Sequence, residues 1–397
     1  MIFKKIIMKK SSILFCLILI SACAFPQWTT LNSGTINNLN SVFFLNSDTG
    51  YVVGNAGTIL KTTDGGSNWI AQSSGTINNL RSVYFTSANT GYVVGKLGTI
   101  LKTTNGGSDW IPQSSGTGYE LYSIYFSASD TSIGYAVGEV ARKTINGGNT
   151  WTTLSYGNFN ILRSTFFTDA NTGFIVGNSG TAMKTTSGGS SWTDQSIGSS
   201  YTINSVYFAD ANTGFIVGNY GCLRKYFGYS GWITISGGTV LDLLSVYFPN
   251  ANTGYIVGAS GIILKTINSG SNWVTQSSGT SSLLNSVFFT DTITGYAVGA
   301  GGVILKTSNG GIVTSVDDNI FSKSETFLYP NPTSDIINIE TSQKSEIEIF
   351  NIQGRLIKSI ISSNNKKSIN ISELPNGLYI LKVKTEKEFD IMKFTKE

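Results

Sequence analysis

Glu120 and Glu139 come nearest, by type and spacing, to a pair that could do acid–base work. Two carboxylates flanking a glycosidic bond can protonate the leaving oxygen and activate water or attack the sugar. Around them, at corresponding places in neighbouring stretches, stand Arg81, Tyr122 and Arg163. Arginine beside a phenol and a carboxylate can grip an acidic or hydroxylated ligand without any bond being broken. The rest of the chain limits the chemistry available. It contains no histidine, which excludes histidine-based triads, histidine general bases and the common zinc sites. Of three cysteines, Cys16 and Cys23 lie near the N-terminus and only Cys222 falls further on. No metal or cofactor is expected.

Residues 1–24 carry Lys4, Lys5, Lys9 and Lys10, the apolar run Ile13 to Ile20, and the small residues Ser21-Ala22-Cys23-Ala24. That order reads as a secretory signal peptide, too short for a stable membrane span, with cleavage before Phe25 and Met1 or Met8 as the start. Ile20-Ser21-Ala22-Cys23 supports an alternative in which Cys23 carries a lipid anchor. The formal net charge of +4 resides in this segment, so the remainder is near neutral. A basic pI would suggest nucleic acid, but the mature chain has no such excess, and no nucleic-acid partner and no transmembrane span are expected.

These residues must be held by the repeats that fill the middle of the chain. Trp28, Trp69, Trp110, Trp151, Trp192, Trp232 and Trp273 are spaced 41, 41, 41, 41, 40 and 41 residues apart. A second marker, "GYVVG", "GYAVG", "GFIVG" or "GYIVG", begins at Gly50, Gly91, Gly134, Gly173, Gly214, Gly254 and Gly295. Each repeat reads as four short strands, "NSVFF", "YVVG", "TILKT" and "WIAQ", joined by Gly/Asn/Ser/Thr turns. The last repeat lacks its tryptophan strand, whereas the mature N-terminus begins with an orphan "QWTTLNSGT". The pattern predicts an all-β chain: a seven-bladed β-propeller over 26–313, closed by its N-terminal strand, followed by a small antiparallel β-sandwich. An open solenoid is the alternative, but it gives no reason to divide one repeat between two ends.

The hairpin "KTTDGGSNW", Lys61 to Trp69, resembles the aspartate box of bacterial sialidases. At the position of Asp64 the other repeats carry Asn105, Asn146, Ser187, Asn268 and Asn309. All of these accept hydrogen bonds from turn amides, so Asp64 reads as part of a tight turn and the seven tryptophans as plugs. The repeats are similar to bacterial neuraminidase (BNR) repeats and to the photosystem II assembly and stability factor family. That resemblance implies a propeller. In sialidases the boxes lie opposite the active site, and no arginine cluster with a tyrosine nucleophile maps onto this sequence. The expected role is therefore a non-catalytic glycan- or protein-binding module, with a glycan-processing hydrolase as the alternative.

Lys61, Lys102, Lys143, Lys184, Lys225, Lys265 and Lys306 share one phase of the third strand and read as solvated positions. Departures from consensus point to a ligand instead. Loops entering the first strands bring Tyr119, Glu120, Tyr156, Phe159 and Tyr201, and loops after the second strands bring Lys96, Glu139, Asn219 and Tyr220. Arg81, Tyr122 and Arg163 occupy the phase of Asn40, Asn204 and Asn285. The candidate ligand-binding residues are therefore Arg81, Tyr119, Glu120, Tyr122, Glu139, Arg163, Tyr201 and Tyr220.

Residues 314–326 read as a linker. Beyond it, 327–397 carries Tyr329-Pro330-Asn331-Pro332, Ile349-Phe350-Asn351 before Gly354-Arg355, Leu374-Pro375-Asn376-Gly377-Leu378-Tyr379, and Lys393-Phe394-Thr395-Lys396. Four motifs in this order resemble the type A C-terminal sorting domain of the type IX secretion system. The resemblance implies the secretion machinery as partner, and a product released or attached at the outer surface of a Bacteroidota-type cell. An ordinary adhesive sandwich is the alternative.

Overall fold

The computed structural model describes residues 27–157, 160–228, 231–311, 327–341, 344–351, 355–362, 366–384 and 389–397. The expected signal peptide and its Cys23, Phe159, the linker and Gly354 of the sorting motif lie outside the described residues. Residues 26–313 form one compact unit and the C-terminal segment another.

Seven four-stranded antiparallel sheets make up the first unit. In the first blade the strands run, from the innermost outward, Leu39–Phe44, Gly50–Gly54, Ile59–Thr62 and Ile70–Gln72. The seventh blade takes Leu284–Phe289, Gly295–Gly299 and Ile304–Thr307 from the end of the array and Thr29–Leu31 from its beginning. Thr29 pairs with Lys306 and Leu31 with Ile304, which closes the ring and gives that sheet its fourth, outermost strand.

The second strand of each blade is β-branched and aromatic because it is covered on both faces; every residue of Gly50–Gly54 is buried. Aromatic triplets weld adjacent blades. Phe44 stacks on Tyr296 of the preceding blade at 4.0 Å and meets Trp69 edge-on at 6.0 Å. The N-terminal Trp28 plays the same part against Phe289, at 5.9 Å. Each such pair adds about 0.5–1.5 kcal/mol beyond area burial. The first glycine of the "GYVVG" strand is demanded by this packing, since a Cβ on Gly50 would lie 2.5 Å from the Phe44 ring.

The repeating lysine is not solvated, contrary to the expectation from sequence. Lys61 Nζ donates to Gly106 O at 2.7 Å, and Tyr51 OH donates to the same oxygen at 2.7 Å. Gly106 belongs to the turn of the following blade, so each lysine fastens its neighbour's hairpin. Lys306 and Tyr296 hold Gly65 O in the same way across the point of closure. Blade four departs: its Lys184 donates to Tyr226 OH at 3.1 Å, where the facing hairpin is one residue short.

The C-terminal unit has a three-stranded sheet, Phe327–Tyr329, Ile336–Glu340 and Lys366–Asn370, and a four-stranded one. The latter is ordered Leu356–Ser362, Ser345–Asn351, Gly377–Lys384, Phe389–Lys396, all antiparallel. Alternate residues Ile337, Ile339, Ile347, Ile349, Leu381 and Val383 fill one core. Two motifs that lie far apart in sequence meet here: Asn331 donates to Lys393 O and accepts from Thr395 N, both at 2.9 Å. Tyr379 stacks on Phe394 and donates to Pro375 O at 2.7 Å.

Candidate functional site

Each innermost strand carries a register irregularity at its second residue, as between Leu39 and Ser41. A bulge of this kind sets an extra residue against one partner and re-aims its side chain. The seven residues so placed, Asn40, Arg81, Tyr122, Arg163, Asn204, Leu244 and Asn285, line a single pocket of ≈ 160 Å³, one from each blade. Further along the same strands, Phe43, Tyr84, Tyr125, Phe166, Tyr207, Tyr247 and Phe288 form an unbroken ring, neighbouring centroids lying 5.0–5.5 Å apart. That girdle was not anticipated, although an aromatic recurs as the fifth residue of every first strand.

The pocket is chemically lopsided. Its asparagines are spent on the scaffold: Asn40 Nδ2 donates to Leu80 O at 2.7 Å, Asn204 Nδ2 to Leu243 O at 2.9 Å and Asn285 Nδ2 to Leu39 O at 2.8 Å. Blades two to four put longer groups there. Arg81 Nε lies 2.7 Å from Glu120 Oε1, and Tyr122 OH donates to Glu120 Oε2 at 3.0 Å. Arg163 lays its guanidinium 4.3 Å from the centre of the Tyr122 ring and donates from Nε to Asn178 Oδ1 at 3.0 Å. Burial pushes the Tyr122 phenol above its ordinary range, against the pull of Arg163. Glu139 completes the group: its Oε2 accepts from Glu120 N, and its own N–H donates to Glu120 O, both at 3.0 Å.

Five of the candidate residues, Arg81, Glu120, Tyr122, Glu139 and Arg163, thus form one contiguous constellation. Glu120 neutralises Arg81, whereas Arg163 has no carboxylate partner among the described residues. The other aromatics stand apart from these contacts. Tyr119 is 60 % exposed; Tyr201 and Tyr220, 43 % and 68 % exposed, form their own pair at 5.2 Å. Tyr220 is held by a bond from its N–H to Asp242 Oδ1 at 2.8 Å. Tyr156, read from sequence as a loop aromatic open to a ligand, is instead buried against Leu154 and Leu162, its hydroxyl donating to Asn160 O. Leu244, the seventh lining residue, gave no chemical signal in sequence.

The hairpin at Asp64 contributes nothing to this pocket. Asp64 Oδ2 accepts from Asn68 Nδ2 at 2.7 Å, and its Oδ1 from Asn68 N at 2.9 Å and Thr62 Oγ1 at 2.8 Å; these bonds hold its carboxyl below the ordinary range. Asn105 accepts from Asp109 N in the same way at 3.0 Å, so the amide reproduces the turn.

Residues 20–111 and 68–159 match the family described as photosynthesis system II assembly factor YCF48, and 327–397 match the secretion system C-terminal sorting domain. No curated protein matches the chain by sequence. Among solved structures, YCF48 bound to D1 peptide is similar with a TM-score of 0.62 and 18 % identity, over 72 % of this chain and 99 % of that one. YCF48 from Cyanidioschyzon merolae is similar with a TM-score of 0.58 and 19 % identity, over 70 % and 98 %. The Niastella koreensis GH74 enzyme gives 0.61 and 15 %, over 93 % and 67 %. Repeats, ring and tail together describe a β-propeller similar to the YCF48 propellers, followed by a segment that matches the secretion-system C-terminal sorting domain.

Proposed function

We propose that the propeller is the working part of an exported cargo and acts as a non-catalytic module that binds a glycan or a protein at the pocket on its axis. The sorting domain marks the chain for secretion to the outer surface. The observation that carries the binding reading is Arg163, stacked on Tyr122 beside the Arg81–Glu120 pair and without a carboxylate partner among the described residues. A guanidinium so placed is pre-organised for an incoming carboxylate or hydroxyl, because its ring contact has already restricted it. One YCF48 propeller is known with a peptide bound, which supports a protein segment as one kind of ligand. A hydrolase would need one carboxylic acid to donate a proton. Glu120 has both oxygens engaged by Arg81 and Tyr122, so neither is left free to face a glycosidic bond.

The test is binding of the mature protein to glycan and peptide arrays, with Arg163→Ala and Tyr201→Ala/Tyr220→Ala variants. A ligand lost at least tenfold by Arg163→Ala is expected; equal binding by all variants, or none by any, overturns the reading. Turnover of a bound oligosaccharide would favour the hydrolase. Removal of 327–397 is expected to leave the propeller in the periplasm, and arrival of the shortened protein at the surface would refute the sorting role.

A further inference from the structure

Six blades close the gap between their second and third strands with a three-residue turn, for example Asn55-Ala56-Gly57 and Asn178-Ser179-Gly180. Its middle residue is left-handed, with φ of 53° at Ala56 and 54° at Ser179. Its glycine presses on the loop that leads to the next blade. A Cβ on Gly57 would lie 1.9 Å from Thr76 O, and one on Gly98 2.0 Å from Thr117 O. Blade three has no such turn: Glu139-Val140 alone join Gly138 to Ala141. The space that the turn fills elsewhere is open here, as a pocket of ≈ 370 Å³ between Glu139–Ala141 and Thr153–Gly157. That volume lies in the range of small-ligand sites.

Its walls and rim differ in kind. Ala141, Leu154 and Tyr156 are buried, and the Tyr156 hydroxyl is already committed to Asn160 O. Glu139 stands exposed at the rim, one oxygen taking the Glu120 amide and the other bonded to no described residue. Arg142, the next cation along the strand, is directed to Gly116 O and Thr153 Oγ1 and does not line the pocket. An apolar cleft with one carboxylate at its mouth matches an aliphatic stem that ends in a cation. We infer that this pocket is a second binding site, beside the axial one and sharing Glu139 with the constellation around it, that takes a lysine or arginine side chain of a protein partner.

The probes are Nα-acetyl-lysine amide and its uncharged analogue Nα-acetyl-norleucine amide, followed by ligand-observed NMR on the full mature chain. The lysine amide is expected to saturate with a dissociation constant on the order of 1 mM. Norleucine amide should bind roughly three- to fivefold more weakly, and Glu139→Gln should weaken the lysine amide by the same factor. Replacing Glu139-Val140 with the Asn-Ser-Gly-Thr of blade four should abolish binding of both, while Arg163→Ala leaves both unchanged and so separates this site from the axial one. Absence of binding at about 10 mM, equal affinity for the two amides, no effect of Glu139→Gln, or loss with Arg163→Ala would each overturn the inference.

Discussion

Trp28 offers the sharpest test of how the ring holds together. It is 2 % exposed, packed edge-on to Phe289 at 5.9 Å and Tyr255 at 6.3 Å, and it precedes a strand of only three residues. Truncating a buried tryptophan typically costs about 3–5 kcal/mol, as transfer energy and cavity add. In a domain of this size each kcal/mol lowers Tm by about 2–4 °C, so Trp28→Ala should lower it by roughly 10 °C. Trp110→Ala, whose side chain is 6 % exposed in the middle of the array, is the internal standard. Thermal unfolding by circular dichroism should give comparable losses for both. A Trp28 variant that melts within about 1 °C of wild type, as a surface substitution would, while the Trp110 variant falls, would show that the N-terminal strand does not close the ring.

Alkali should unfold the propeller abruptly. Burial raises the phenols of Tyr51, Tyr84, Tyr92, Tyr135, Tyr247 and Tyr296 to about 12, from an ordinary 10.0. The unfolded chain therefore loses these protons above pH 10 while the folded chain keeps them, and stability falls between pH 10 and 12. Each tyrosine removes about 1.4 kcal/mol per pH unit in that window, with Lys102 and Lys265, lowered by burial, opposing weakly. Denaturant midpoints unchanged from pH 9.5 to 11.5 would contradict this. At the hairpin, Asp64→Asn should leave Tm within about 1 °C, since Asn105 makes the equivalent bonds one blade on; a large drop would restore a special role to the aspartate.

How far the sequence could be read depended on whether a contact is made by side chains with a phase or by backbone without one. Tryptophans and "GYVVG" strands announce themselves because every blade buries the same positions. The lysine ring was misread because its partner is a backbone carbonyl in the next blade, 45 residues on from Lys61. Arg81, Tyr122 and Arg163 were visible as departures from asparagine. The link that organises them, Arg81 to Glu120, crosses blades and carries no local signature. Tyr156 shows the limit of composition: an aromatic in a loop can turn outward to a ligand or inward to a core, and here Leu154 and Leu162 receive it. Blade three conceals its short turn because the preceding loop, Ser127 to Ile133, is longer than its siblings, which keeps the tryptophan spacing at 41.

The clasp between each lysine–tyrosine pair and the following hairpin has a consequence for how such molecules arise. Five blades make the full clasp on a glycine carbonyl of the next hairpin, while Lys225 uses Ser269 O and Lys184 uses Tyr226 OH, so most copies can follow one another without new specificity being invented. Tyr296 reaches Gly65, 231 positions away, through the same bond that Tyr51 makes to Gly106. A duplicated or deleted blade would find its partners ready made. Nothing in these bonds counts to seven; the ring is closed where Thr29–Leu31 pairs with Ile304–Thr307.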